Sequence, residues 1–249
     1  MIKIKTSEEL ECMREAGLLA AKVLMTCVKA VEPGVTTAAI DALAAKTMKD
    51  LNCESASLGY YGYPGYICIS VNEEVIHGIP SARTIKVGDV VSLDVCIRTK
   101  RGYNGDNAYT VMVGVTDPSV VELVEGTERA LAAGIAAAQP GSHLSDVSAA
   151  IEKVARECRL GIVREYCGHG IGRSLHEEPE VVNYGKPGRG PVLKKGMTIC
   201  IEPMLTRGSP RIAVLDDEWT VVTCDSRPAA HFEHTVAITE TGNEVLTPR

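Results

Sequence analysis

The sequence predicts an α+β fold in which two related halves share one curved, mostly antiparallel sheet with helices packed outside it, and three observations carry that expectation. The segments IKVGDVVSLD (85–94) and LKKGMTICIE (193–202) have the same pattern, and each ends on a carboxylate, Asp94 and Glu202, placed 108 residues apart. Upstream, EPG before TTAAIDALAAKTM (32–48) recurs as QPG before SHLSDVSAAIEKV (139–154), with Pro33 and Pro140 separated by 107 residues. No linker or low-complexity segment divides the two copies, so the expected unit is one domain over 1–249, with halves at about 1–115 and 116–249. A duplication of this kind brings an acid from each copy to a pseudo-two-fold axis, where the acids repel one another unless a cation sits between them.

Taken in order, Thr6 with Glu9 three residues later is a capping box, and the apolar spacing Leu10, Met13, Leu18, Ala21, Leu24, Val28 continues it as a long helix stopped by Pro33 and Gly34. A second helix runs from about Thr37 to Leu51. The Tyr/Gly-rich loop GYYGYPGY (59–66) is too irregular for core filling and leads into a strand over 67–71. VVSLDVCIR (90–98) and the segment after Gly105 alternate as strands joined through KRGYNG in a hairpin. Asp117 followed by Pro118 starts a helix that ends near Ala138, before Pro140 and Gly141. The cycle of helix, strand and hairpin then repeats, with a longer last hairpin holding DDEW and DSRPAA before HFEHTVAIT.

Composition limits the function. A net charge of −6, a pI near 5.6 and no basic run longer than Lys194–Lys195, itself expected to be a solvated turn, argue against a nucleic-acid surface. Nine cysteines occur without CxxC or CxH spacing, which suits buried reduced thiols in a cytoplasmic protein better than disulfides or structural zinc. Lys22 and Lys29 interrupt the longest apolar stretch, so no membrane span is expected, and the charged start does not read as a signal peptide.

Five residues stand out in short settings: Asp94 in SLDV, Asp106 in NGDNA, His169 in CGHGIG, Glu202 in CIEP and Glu233 in FEHT. One acid among apolar strand residues is ordinarily a satisfied polar group at a strand end. Four in symmetry-related places need a cation, because an ionised carboxylate there is costly to bury. Asp94 and Asp106 flank a hairpin and can meet across its ladder. Carboxylate-rich ligation with one imidazole suits Mn, Fe(II), Co or Zn in a carboxylate-bridged pair. Cys167, two residues before His169, is expected to be a buried thiol rather than a nucleophile.

HGIP (77–80), the Asp94 and Asp106 pair, CGHGIGRSLHEEP (167–179), IEPM (201–204) and EHT (233–235) together resemble the methionine aminopeptidases, in order and over nearly the whole chain. The resemblance implies the pita-bread fold of the M24 metallopeptidases and a two-metal hydrolase that removes the initiator methionine through a metal-bridged hydroxide. The spacing of 33 from His169 to Glu202 resembles the compact type I, bacterial form. By resemblance, Asp94, Asp106, His169, Glu202 and Glu233 are the ligands of two divalent ions, Co, Mn, Fe(II) or Zn. Glu202 is expected to shuttle the proton, and His77 and His176 to contact the peptide near the scissile bond. An echo of HGI at 77 and 169 supports the active-site reading of His77. Tyr60, Tyr63, Cys68 and Trp219 match the methionine pocket.

The chain departs from the better-known members at Ser57, where they carry cysteine, at Leu175, where many carry phenylalanine, and in a hairpin one residue longer between Asp94 and Asp106, for which a β-bulge is expected. The resemblance further implies nascent polypeptide N-termini as partners, transient ribosome association, a monomer, and a preference for small second residues. Two other readings stand beside it: a pita-bread peptidase acting on proline peptides, whose relatives usually carry a large amino-terminal domain, and a metal-free peptide- or ribosome-binding protein, which would typically have lost ligands.

Overall fold

The computed structural model describes all residues, Met1–Arg249. Helix α1 (Ser7–Val28) starts at the predicted capping box: Thr6 Oγ1 accepts the Glu9 N–H at 3.2 Å, and Glu9 Oε2 accepts the Thr6 N–H at 3.0 Å. It ends in a turn after Val28, ahead of Pro33. Met13, Ala16, Ala20, Val23, Leu24 and Cys27 face inward at spacings of three and four, so one stripe of the helix is sealed against the sheet. Gly105 permits this close seat, since a Cβ there would collide with the Ala16 carbonyl. Full burial of a side chain such as Leu24 stabilises the fold by roughly 2 kcal/mol.

Helix α2 (Thr37–Asp50), β1 (Cys53–Ser55), a short 3-10 turn (Tyr60–Gly62), β2 (Cys68–Val71), β3 (Glu74–Ile76), β4 (Val90–Thr99) and β5 (Asn104–Met112) complete the first half. Helices α3 (Pro118–Ala137) and α4 (Leu144–Glu157) open the second, followed by β6 (Gly161–Ile162), β7 (Gly168–Gly170), β8 (Glu177–Val181) and β9 (Thr198–Ile201). Then come β10 (Met204–Thr206), β11 (Ile212–Val214), β12 (Val221–Thr223), β13 (Ala229–His231), β14 (Glu233–Ile238) and β15 (Asn243–Val245). Asp117 caps α3 by accepting the Ser119 N–H at 2.8 Å, with Pro118 in the first turn as expected.

The duplication is visible in backbone detail. An isolated bridge joins Thr36 to Thr84, and its counterpart joins His143 to Val192. Gly34 N–H donates to the Ile85 carbonyl and Gly141 N–H to the Leu193 carbonyl, both at 2.9 Å. Gly88 and Gly196 turn the chain into β4 and β9 with φ of 99° and 90°, a region that favours glycine. Each half has its own apolar core, one under α1 and α2 and one under α3 and α4.

The main sheet is antiparallel throughout, in the order β1-β4-β5-β14-β9-β7-β8, with β2 also on β4 and β15 on β14. Its central seam, β5 against β14, is short: only Glu233↔Ala108 and His234↔Asn107 are in register. Thr235 Oγ1 donates to the Asp106 carbonyl at 2.8 Å, and Arg249 Nη2 donates to the carbonyls of Ala108 and Glu233 at 2.5 and 2.9 Å. Two small sheets, β13-β10-β6 and β11-β12-β3, close one end.

Two expectations are corrected. The β4–β5 ladder runs unbroken from Val90↔Met112 to Arg98↔Asn104, with Asn104 and Gly105 inside the strand. The longer hairpin therefore needs no bulge; its turn closes through Thr99 N–H to the Tyr103 carbonyl at 2.9 Å, with Gly102 at φ 79°. The HGI echo is not a symmetry relation either. Gly170 pairs with Ile199 and Val71 with Val91, so the counterpart of His169 is Ser70, and His77 lies beyond β3.

Candidate metal centre and cavity

Asp94 and Asp106 sit on one face of the β4–β5 hairpin, where Asp94 opposes Ala108 and Asp106 opposes Cys96. Glu233 is the first residue of β14, His169 the middle residue of β7, and Glu202 follows β9 directly. The sheet order therefore gathers all five side chains around the central seam, Asp94 and Asp106 from one half and His169, Glu202 and Glu233 from the other. His169 Nε2 lies 3.7 Å from Asp106 Oδ2 and 3.5 Å from Glu202 Oε1. Donor atoms of Asp106, His169, Cys200 and Glu233 all fall within 4.8 Å of one another, as do those of Asp94, Cys96 and Asp106.

The electrostatics of this cluster call for a cation. No lysine or arginine forms an ion pair with any of the four acids. Burial, then repulsion from Asp106, pushes the Asp94, Glu202 and Glu233 carboxyls well above the usual carboxylate range. Asp106 rises too, chiefly by burial. Glu233 Oε1 is buried with no hydrogen-bond partner, an orphaned acceptor whose chemistry fits a divalent ion. Oxygen donors with one imidazole suit Mn, Fe(II), Co or Zn. His169 Nδ1 faces the Gly170 carbonyl at 2.9 Å, which leaves Nε2 as the inward donor atom.

A cavity of about 260 Å³ opens beside the cluster, and Tyr60, Tyr63, Cys68, His77, His176 and Trp219 all line it. Ser57 and Leu175, the two departures, line it as well. His77 adopts φ 59°, strained for a non-glycine residue, and its neighbour holds it there: Gly78 N–H donates to Ser70 Oγ at 3.1 Å, while the Gly78 carbonyl accepts from Ile69 N–H at 2.9 Å and Tyr63 Oη at 2.8 Å. The Trp219 ring meets Tyr63 at 5.1 Å and His77 at 6.4 Å between centroids. His176 stacks edge-on to His169 at 4.3 Å, and its Nδ1 is 2.6 Å from the Tyr60 hydroxyl. Burial, then the neighbouring His176, pulls His77 down to about 4 and His169 down to about 3, so these imidazoles are neutral.

Cys167 lines the cavity, but its thiol is pushed up to about 11 by burial and by Glu180 and Glu202, the opposite of an activated nucleophile. Lys194 and Lys195 are exposed at a turn. Sequence reading missed three residues at the cluster. The Cys96 thiol donates to Asp106 Oδ1 at 3.0 Å, Cys200 stands beside Glu233, and His231 Nε2 lies 3.8 Å from Glu202 Oε2. Strand parity could have found the cysteines, each two positions from an acid on the same face. His231 lies two residues before Glu233 in HFEHT, but the break between β13 and β14 hides that relation from strand parity.

Comparison with known proteins agrees with this geometry. The model of metallopeptidase family M24 matches residues 11–240. The chain is 45% identical over 247 residues to methionine aminopeptidase 1 of Bacillus subtilis, covering 99% of each chain. It is 44% identical over 250 residues to methionine aminopeptidase 1 of Mycobacterium tuberculosis, covering 98% of this chain and 94% of that one. A methionine aminopeptidase structure from Thermotoga maritima superposes with a TM-score of 0.97 at 45% identity, covering all of both chains. Prolidase from Pyrococcus furiosus superposes at 0.78 with 25% identity, over 99% of this chain and 65% of that one.

Proposed function

This chain belongs to metallopeptidase family M24, among its methionine aminopeptidases, and we propose that Asp94, Asp106, His169, Glu202 and Glu233 hold its catalytic metal while the adjoining cavity receives the methionine side chain. The enzyme is a metal-dependent aminopeptidase of pita-bread fold that releases an amino-terminal methionine. The observation that carries the site assignment is the buried cluster of four carboxylates and one imidazole at the cavity wall, with no lysine or arginine paired to it. Because Asp106 belongs to both candidate donor groups, the cluster is read as holding two divalent ions, drawn from Co, Mn, Fe(II) and Zn.

The chemistry such ions supply when bound is Lewis acidity toward the scissile carbonyl and the attacking water. Glu202, the acid nearest both His169 and His231, is assigned to take the proton from that water and return it to the leaving amine. Neutral His77 and His176 are assigned to donate N–H bonds to the peptide, adding no positive charge beside a cation. Tyr60, Tyr63, Cys68 and Trp219 form the apolar wall that admits a thioether and excludes water.

The continuous sheet supports reading 1–249 as one catalytic domain with halves at about 1–115 and 116–249. Nascent polypeptide N-termini with small second residues are the proposed substrates, with transient ribosome contact and a monomeric state. No helix is long and apolar enough to cross a membrane, and nine unpaired cysteines support a reducing, cytoplasmic setting. The test is release of methionine from a Met-Gly peptide and of proline from an Ala-Pro dipeptide, by metal-free protein titrated with Mn, Fe(II) or Co. Metal-dependent release from the first peptide alone is expected. Release of proline would point to the prolidase-like reading, and no release by folded protein would favour a binding protein.

A further inference from the structure

His231 is the one imidazole at the metal centre without a role so far. It closes β13, it is 2% exposed, and its Nε2 has no hydrogen-bond partner. Its backbone is fixed by Thr110, whose Oγ1 accepts the His231 N–H at 3.0 Å and donates to the His231 carbonyl at 2.7 Å. The backbone that carries the ring is therefore held at both its polar groups. The two oxygens of Glu202 face different imidazoles: Oε1 is 3.5 Å from His169 Nε2, and Oε2 is 3.8 Å from His231 Nε2. His169 and the nearer Glu202 oxygen would be able to hold an ion together, with the second oxygen left for His231. A shift of about 1 Å closes that gap to hydrogen-bond length.

We propose that His231 is a positioning residue for Glu202, donating its Nε2–H to Oε2 and so holding the oxygen that accepts the proton in place. The inference rests on Glu202 having that role. A partnerless buried N–H costs stability, and closing on a carboxylate satisfies both groups with a charge-assisted bond. The position differs from that of a ligand, because His231 faces the Glu202 oxygen turned away from His169.

Two variants and one spectroscopic measurement test this. His231→Leu should lower kcat for methionine release roughly tenfold to a hundredfold, with KM and metal content unchanged. His231→Gln, whose side-chain N–H can stand where the imidazole Nε2–H stood, should restore most of that loss. Equal kcat loss in both variants, or metal loss in both, would overturn the proposal. In metal-free wild-type protein with isotopically labelled imidazoles, NMR should find the His231 proton on Nε2, with a resonance that shifts in Glu202→Gln. A proton on Nδ1 alone, or a resonance indifferent to Glu202→Gln, also overturns it, whether or not His231→Leu folds. Wild-type protein that releases no methionine would refute the activity, and the NMR measurement would still decide the contact.

Discussion

Between Asp94 and Asp106 the chain makes one tight turn, whereas between the corresponding acids Glu202 and Glu233 it builds four further strands, β10 to β13. The two intervals begin alike, each entered through a glycine of positive φ and each carrying its first acid at or just past the same register. Only the second then departs from the shared plan. It carries Trp219 in the turn before β12 and His231 at the end of β13, and β12 reaches back to pair with β3 just before His77. The repeated frame thus supplies the charges, and the unrepeated insertion adds Trp219 to an apolar cavity wall otherwise drawn from the first half and from the β7–β8 region.

The largest expected effect comes from the frame. Glu202→Gln keeps the shape but removes the proton acceptor, so methionine release should fall by about 10²- to 10⁴-fold while circular dichroism is unchanged. Wild-type turnover in that variant would remove the carboxylate from the mechanism. The insertion should behave differently: Trp219→Ala is expected to lower kcat/KM roughly tenfold to a hundredfold while metal content stays at the wild-type level. If metal were lost in step, the division between charge frame and apolar wall would be wrong.

Smaller effects probe the frame's own asymmetry. A Cβ at Gly88 meets nothing within 4 Å, whereas one at Gly196 would sit 2.7 Å from Ile4 Cγ2 and from the Lys5 carbonyl. Gly88→Ala should therefore cost about 1 kcal/mol from backbone strain alone, and Gly196→Ala about 3 kcal/mol, read by urea unfolding. Equal costs would mean that the amino-terminal arm yields freely.

That arm exists only on the second half, where Lys5 N–H donates to the Gly196 carbonyl and Lys5 Nζ to Glu177 Oε2, at 2.8 and 2.9 Å. Burial works against ionising Glu177, but its bonds to Lys5, Ser174 and Lys3 outweigh that and hold the carboxyl below its usual range. A lowered folded pKa stabilises the fold fully above the unfolded carboxylate's range, and the stabilisation is lost as pH falls through the folded value. Lys5→Met should cost about 1 kcal/mol at neutral pH, because Lys3 remains, and progressively less in acid. A cost independent of pH would assign Lys5 a packing role only.

What was legible in the sequence was whatever repeats or is locally costly. The duplicated strand entries and the capping box are patterns of neighbouring residues, and four acids in apolar strands conflict with burial wherever the strands go. The contribution of His231 was not legible, because β13 ends at His231 and β14 begins at Glu233, so the strand is interrupted at Phe232 and simple strand parity does not extend across it. The β3–β12 pairing joins Ile76 to Val221, a contact that no local period announces. The HGI echo misled for a related reason: three residues recur by composition without sharing a place in the sheet. Tyr60, Tyr63, Cys68 and Trp219 were found through family resemblance, since nothing in their spacing converges on one cavity.

The short seam between β5 and β14 gives the centre a mechanical meaning. Two residue pairs, one threonine bridge and the Arg249 guanidinium stitch the halves together where Asp106 and Glu233 face each other. Repulsion between those acids pries at the same line, so the halves resemble two covers joined along a narrow spine. An ion gripped by both acids would act as a rivet through that spine, and its removal should loosen the two covers before either one loses its own core.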